Sequence, residues 1–271
     1  MTVLNIAHRG ARSLAPENTL AAARKAFEVG ANMWELDVSV TGDGALVVFH
    51  DDALTRVTDA ETVFPSHTPW HLADFTLAEL KQLDTGSRFI QDDPHGQIAA
   101  GALSDAEQAS LRGERIPTLR EALSFTRDYN WRVNVEIKEL PPQLASFPVV
   151  EKTIELIQEL DMIEQVLLSS FQPMYLRQAK KLNSGLQTAF LCEERPEDAL
   201  AMVRQLGYRA YHPYYASTNN EEIESLRNAG LEVNVWTVNE EFDMARSIQV
   251  GVDGIITDFP QRLTRLLSGQ L

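Results

Sequence analysis

Met33-Trp34-Glu35-Leu36-Asp37-Val38-Ser39-Val40-Thr41-Gly42-Asp43-Gly44-Ala45-Leu46-Val47-Val48-Phe49 is the stretch on which the fold turns. It reads as two strands, Met33–Val40 and Ala45–Phe49, with only Thr41–Gly44 between them. A parallel crossover needs a dozen or more residues, so four can only close an antiparallel hairpin. Gly42-Asp43 suits a two-residue type II′ turn, which takes Gly first. The other apolar runs obey a different rule. Val3–Ala7, Met33–Val40, Arg132–Ile137, Val166–Ser169, Leu186–Leu191, Arg209–His212, Glu232–Thr237 and Asp253–Thr257 are each followed, sooner or later, by a helical pattern. With the returning hairpin strand set aside, eight βα strands remain, the number that closes a (β/α)8 TIM barrel.

Helical periodicity fills the gaps at Asn18–Val29, Thr118–Tyr129, Val149–Leu160, Pro173–Leu182, Pro196–Leu206, Asn220–Ala229 and Glu240–Ile248. Residues 52–115 fit the alternation poorly, with Asp92-Asp93-Pro94-His95-Gly96 and one plausible helix at Leu77–Leu83. They read as an insertion after the second barrel strand, packed over one end of a single domain spanning 1–271. A bare disordered loop is the alternative.

The chain has 271 residues, enough for one such barrel, and carries 39 Asp+Glu against 24 Lys+Arg, a net charge of −15. That field repels nucleic acid and anionic headgroups, so neither nucleic acid nor stable membrane association is expected. The lone Cys192 allows no intramolecular disulfide. With neither a signal-peptide pattern nor a span of about 20 apolar residues, the expected location is cytoplasmic, as monomer or homodimer.

Strand periodicity places Glu35 and Asp37 on one face of the second strand and Trp34, Leu36 and Val38 on the other. Two carboxylates on an apolar strand repel each other unless a hard cation with a preference for oxygen, such as Mg²⁺ or Ca²⁺, lies between them. The hairpin arithmetic, with Thr41 opposite Gly44, sets Glu35 opposite His50 and Asp37 opposite Val48. Asp51 then orients His50 or shapes the turn. On the next barrel strand Asn134, Glu136 and Lys138 share one face, offering a third oxygen ligand and a cation for an anionic substrate. His8-Arg9-Gly10 follows the first strand, at the rim where barrel active sites are built. Phe171 and Trp236, after the fourth and at the seventh strands, serve as pocket walls or plug the barrel top. Asp258-Phe259-Pro260 reads as a strand stop and helix start. No G-x-G-x-x-G, P-loop, G-x-S-x-G or zinc-ligand spacing occurs.

Taken together, Ala7-His8-Arg9-Gly10, Ala15-Pro16-Glu17-Asn18-Thr19, Glu35-Leu36-Asp37-Val38, Val48-Phe49-His50-Asp51, Leu83-Asp84-Thr85-Gly86-Ser87, Ile116-Pro117-Thr118-Leu119, Glu136-Ile137-Lys138, Trp236-Thr237-Val238-Asn239 and Gly251–Pro260 resemble the glycerophosphodiester phosphodiesterase family. The order matches over almost the whole chain. Thr85 and Arg88 depart from it, standing where such proteins often carry a small residue and an aromatic. The resemblance implies a barrel with a small insertion, a divalent metal (Mg²⁺ or Ca²⁺) held by Glu35, Asp37 and Glu136, and His8 and His50 as the acid/base pair. It also implies Arg9 and Lys138 near the phosphate. The implied reaction is hydrolysis of a small-molecule glycerophosphodiester to glycerol 3-phosphate and an alcohol. Which histidine is the acid, and whether water or the substrate's own hydroxyl attacks, stay open. A phospholipase D-like action on intact phospholipid is the nearest rival, and a catalytically dead barrel serving as a binding module is the second.

Overall fold

Every barrel strand has two edges, and Met33–Val40 (β2) divides one of its own between two partners. β4 (Arg132–Ile137) covers one edge in parallel from Met33 to Val38. On the other edge β1 (Leu4–Ala7) pairs in parallel only as far as Ala7↔Trp34, and β3 (Leu46–Val48) pairs antiparallel from Val38↔Val48 onward. Between them, at Glu35–Asp37, the edge is left to loops: the Asp37 N–H donates to Asn18 Oδ1 at 3.3 Å and its carbonyl accepts the Phe49 N–H at 3.0 Å. That opening is where the candidate site residues collect.

The remaining strands are β5 (Val166–Ser170), β6 (Gln187–Cys192), β7 (Ala210–Pro213), β8 (Glu232–Val235) and β9 (Gly254–Thr257). Their order, β1-β9-β8-β7-β6-β5-β4-β2 with β2 returning to β1, closes an eight-stranded parallel barrel with helices between the strands. The computed structural model describes residues 3–194 and 199–269. The expected helix start at Pro196 lies outside them, and the described helix there is Ala199–Leu206.

The hairpin forms, but its register is one residue from the expected one. Val38, not Asp37, pairs with Val48. The reason is the turn. Thr41 N–H donates to Ala45 O at 3.0 Å and Gly44 N–H to Thr41 O at 2.9 Å, with Gly44 at φ +82°, so Gly44 rather than Gly42 supplies the left-handed residue. This is the three-residue loop with a glycine bulge, and its extra residue shifts every pair by one. By strict alternation His50 would then lose its place opposite Glu35. It reaches the site because β3 ends at Val48 and the chain leaves the ladder after Phe49.

Alternation does hold in β2. Trp34, Leu36 and Val38 point outward into the layer between barrel and helices, where Trp34 Nε1 donates to Thr126 Oγ1 at 2.9 Å. Glu35 and Asp37 point inward. The barrel floor is closed by Ile6, Met33 and Ile256, and by Leu167, Ala189 and Ala210. Beside these apolar residues the interior is also polar, with His212 Nε2 3.0 Å from Asn234 Nδ2. Gly254 makes room for that pair, since a Cβ there would sit 2.4 Å from Asn234 Oδ1.

Between β3 and the helix Leu119–Asp128 the chain forms short helices, among them Leu54–Arg56, Ala60–Val63, Leu77–Leu80, Gly86–Asp92 and Asp105–Leu111. They enclose a small core of their own, built from Val47, Phe49, Leu54, Leu72, Phe75, Leu80, Leu83 and Ile116. Helices of three to seven residues are too short to show a 3.6-residue period. Their legible marks are the capping boxes, Thr76 with Glu79 and Ser104 with Glu107.

Gly10 fixes the loop that follows β1. It sits at φ +80°, and a Cβ would lie 2.6 Å from the Ala22 carbonyl carbon. Gly10→Ala is therefore expected to cost about 2–3 kcal/mol or more in stability, from left-handed strain plus overlap with backbone. A denaturant titration checks it, and an unchanged midpoint would contradict the close approach.

Candidate active site

His8, Arg9, Glu35, His50, Glu136, Lys138, Phe171 and Trp236 line one cavity of about 180 Å³ at the C-terminal end of the barrel strands. Asp37, the remaining residue singled out from sequence, joins them through the carboxylate cluster. Strand register explains the convergence: Ala7 is level with Trp34, Glu35 with Asn134, and Asp37 with Glu136.

Each histidine is anchored through Nδ1 to a carboxylate. His8 Nδ1 lies 2.6 Å from Asp258 Oδ1, and His50 Nδ1 lies 2.6 Å from Asp51 Oδ1. A carboxylate on Nδ1 holds the ring proton there and leaves Nε2 to exchange a proton with a substrate. Burial, reinforced by the Arg9 charge, lowers the His8 pKa, while Asp258 opposes that shift. Although burial works the other way, hydrogen bonding and charge from His8, with Arg12 and Asn239 adding to them, hold the Asp258 carboxyl far below its ordinary value. Asp258 is itself oriented by Asn239, whose Nδ2 donates to Oδ2 at 2.8 Å. Its reading as only a strand stop is thus incomplete. The cue was topological: β9 pairs with β1 up to Ala7↔Thr257, so the residue after Thr257 stands beside His8.

Arg9 adopts φ +54° and donates its backbone N–H to Glu35 Oε2 at 2.8 Å. Its guanidinium is engaged too, with Nη1 2.9 Å from Glu17 Oε1 and Nε 3.4 Å from Asp37 Oδ2. Lys138 differs: among the described residues no carboxylate lies within ion-pair distance of it, and it faces the cavity. Phe171 and Trp236 meet edge to face at 5.5 Å, with the Trp236 indole N–H donating to His212 O at 2.7 Å. The indole is thereby fixed as a wall, while Phe171 remains 40% exposed at the mouth.

Glu35, Asp37 and Glu136 each offer an oxygen within 4.8 Å of the others. Asn18 Nδ2 donates to Asp37 Oδ2 at 2.8 Å, but Glu35 Oε1 is buried with no hydrogen-bond partner. Burial first, then the charges of Asp37 and Glu136, push Glu35 well above the usual carboxylate range. Burial and then Asp37 raise Glu136 as well. Asp37 moves the other way, because Arg9, followed by His50 and Lys138, outweighs its burial. Three crowded carboxylates with an orphaned oxygen, all hard donors, are the donor set that suits Mg²⁺ or Ca²⁺.

Two more residues escaped sequence reasoning as parts of the site. Glu17 lies in a loop, and Asn18, expected to open the helix Asn18–Val29, instead sits at φ +57° ahead of a helix that starts at Leu20, because Thr19 caps it. They had been visible only as members of a matching motif.

The sequence profile described as "Glycerophosphoryl diester phosphodiesterase family" matches residues 8–262. A glycerophosphodiester phosphodiesterase from Caldanaerobacter subterraneus subsp. tengcongensis is 37% identical over 268 residues, covering 98% of each chain. One from Bacillus altitudinis is 30% identical, covering 96% of each. The solved structure of an Oleispira antarctica phosphodiesterase in complex with the product sn-glycerol-3-phosphate is 28% identical, superposes with a TM-score of 0.82, and covers 98% of this chain and 97% of that one.

Proposed function

Because the chain belongs to the glycerophosphoryl diester phosphodiesterase family and is a glycerophosphodiester phosphodiesterase, we propose that His8 and His50 are its acid/base pair and that Glu35, Asp37 and Glu136 hold a divalent cation. The observation that carries this reading is the matched pair of histidine–carboxylate contacts, both 2.6 Å, facing one cavity with the carboxylate cluster.

A phosphodiester gains negative charge on its phosphoryl oxygens as a nucleophile attacks, and that charge is what a site must stabilise. Glu35, Asp37 and Glu136 would hold the cation, which supplies Lewis-acid stabilisation of the phosphoryl oxygens when bound. Lys138, beyond ion-pair distance of any carboxylate among the described residues, adds a second positive charge. Arg9, tied to Glu17 and Asp37, contributes to the local field and braces Glu35 through its backbone. One histidine Nε2 takes the proton of the attacking oxygen as a P–O bond forms. The other gives its proton to the departing alkoxide as the second P–O bond breaks; with water as the attacking group, the net change is addition of water across that bond. Trp236 and Phe171 supply an apolar wall for the glycerol carbons. The sn-glycerol-3-phosphate held by the Oleispira antarctica structure supports a glycerophosphodiester as substrate here.

A water-soluble substrate agrees with the net charge of −15. No helix among the described residues is long and apolar enough to cross a membrane. The test compares release of glycerol 3-phosphate from glycerophosphocholine with turnover of phosphatidylcholine vesicles. Turnover of the small diester and none of the vesicles is expected. Preferential turnover of the vesicles would favour the phospholipase D-like reading.

A further inference from the structure

We infer that Glu17 is the positioning residue that locks the two histidine–carboxylate pairs to one another, acting through Arg12 on one side and Arg56 on the other. The inference rests on the proposed roles of His8 and His50, and adds to them a physical link between the two.

The link is continuous. From His8 it passes to Asp258, whose Oδ1 is 3.5 Å from Arg12 Nη1, and Arg12 Nη2 meets Glu17 Oε2 at 2.5 Å. From Glu17 it continues to Arg56, with Nη1 3.0 Å from Oε2 and Nη2 2.6 Å from Oε1. Arg56 then grips Asp51, with Nε 2.5 Å from Oδ2 and Nη2 3.0 Å from Oδ1, and Asp51 holds His50. Both Arg56 contacts are two-pronged, a geometry that fixes orientation as well as distance. Three guanidiniums (Arg9, Arg12 and Arg56) meet at Glu17, which stands at the centre of the chain.

Glu17 is built to be a fixed point. Its side chain is only 8% exposed, and the backbone beside it is pinned. Asn18 N–H donates to Arg9 O at 3.0 Å, while Thr19 Oγ1 donates to Pro16 O at 2.6 Å and accepts from Ala22 N–H at the start of the helix Leu20–Glu28. Burial alone would favour the neutral acid. Hydrogen bonding from Arg56 and the charges of Arg12 and Arg9 instead hold the carboxyl well below its usual range, so it stays an anion. A buried anion with three cationic partners costs much to disturb, and that cost keeps its partners in place. The two histidines come from opposite sides of the opening in β2, one after β1 and one after β3. The ladders to β2 end at Ala7↔Trp34 and Val38↔Val48, short of both histidines, so the side-chain bridge links the two rings beyond the reach of the sheet. Acid and base must act on opposite oxygens of one phosphorus, and an error of about 1 Å in such a spacing costs about 100-fold in rate.

The test follows the downfield proton signals of the two imidazole Nδ1–H groups by NMR in the full-length protein, assigned with His8→Ala and His50→Ala. Glu17→Gln keeps the shape and removes the charge. It is expected to move both signals and to lower kcat for glycerophosphocholine about 100-fold, with KM nearly unchanged. Arg12→Ala should move only the His8 signal and Arg56→Ala only the His50 signal. The Arg12→Ala/Arg56→Ala double variant should be no slower than Glu17→Gln, because both break the same bridge. Glu17→Gln leaving both signals in place, or either arginine variant moving the far signal alone, would overturn the proposal. Should Glu17→Gln fail to fold, the arginine variants decide: a double variant as slow as the product of the singles means two independent dyads and no bridge. Full activity in His8→Ala and His50→Ala would instead sink the acid/base reading, whatever the signals do.

Discussion

His8→Ala and His50→Ala are each expected to lower kcat by about 10²- to 10⁴-fold, the contribution of a positioned general acid or base. The effect should fall on kcat more than on KM, because neither imidazole is needed to hold the diester in its ground state. The double variant should be about as slow as the worse single variant, since groups acting on one proton-transfer sequence fail as a unit. Each ring depends on its carboxylate, so Asp258→Asn should also slow the reaction, by letting the His8 ring present the wrong nitrogen. Steady-state release of glycerol 3-phosphate measures all of these. Either single variant within a few-fold of the parent would remove that histidine from the chemistry.

The second large effect concerns the three carboxylates. In chelator-treated protein, Glu35 and Glu136 titrate above their ordinary value because burial and mutual repulsion disfavour the charged form. The unfolded chain gives up those protons near pH about 4.3, whereas the folded chain keeps them to higher pH. Their stabilisation is therefore fully present below about pH 4.3 and is lost as pH rises through the raised values. Asp37, held low by Arg9, behaves oppositely, its stabilisation present at neutral pH and lost only in acid. Burial lowers His8, His95 and His212, so their stabilisation grows as pH rises to about 6.5. Above that only the two glutamates still titrate, and from about pH 7 to pH 8 the Tm of chelated protein should fall. Saturating Mg²⁺ or Ca²⁺ should restore it, by about 2.7 kcal/mol at 100 times Kd. Glu136→Gln should abolish this metal response and activity, yet make the chelated protein more stable than the parent near pH about 7, because the folded chain no longer has to hold a proton that the unfolded chain releases. A chelated Tm that is flat with pH would contradict the electrostatic account of the cluster.

How much of this was legible in the sequence depends on what each residue needed to be read. Glu35 and Asp37 needed only the two-residue period of a strand flanked by apolar neighbours, and Glu136 and Lys138 needed the same. The barrel followed from one turn too short for a crossover. His50 was placed by a pairing register that the Gly44 bulge shifts by one residue. It arrives in the cavity because the strand ends before it, so a correct placement came from an incorrect pairing. Asp258 required the closure of β9 against β1, a contact between residues some 250 positions apart that no local pattern announces. Glu17 and Asn18 required loop geometry, which side-chain partners decide and periodicity does not. The short helices after β3 are held by their own small core and by caps, and their apolar residues are too few to show a period.

The most direct test of the account is a metal titration of chelator-stripped enzyme, following release of glycerol 3-phosphate from glycerophosphocholine. Activity is expected near background without metal, rising with Mg²⁺ or Ca²⁺ to a plateau that Glu136→Gln never reaches. Full activity in the stripped enzyme, unchanged by added cation, would contradict it.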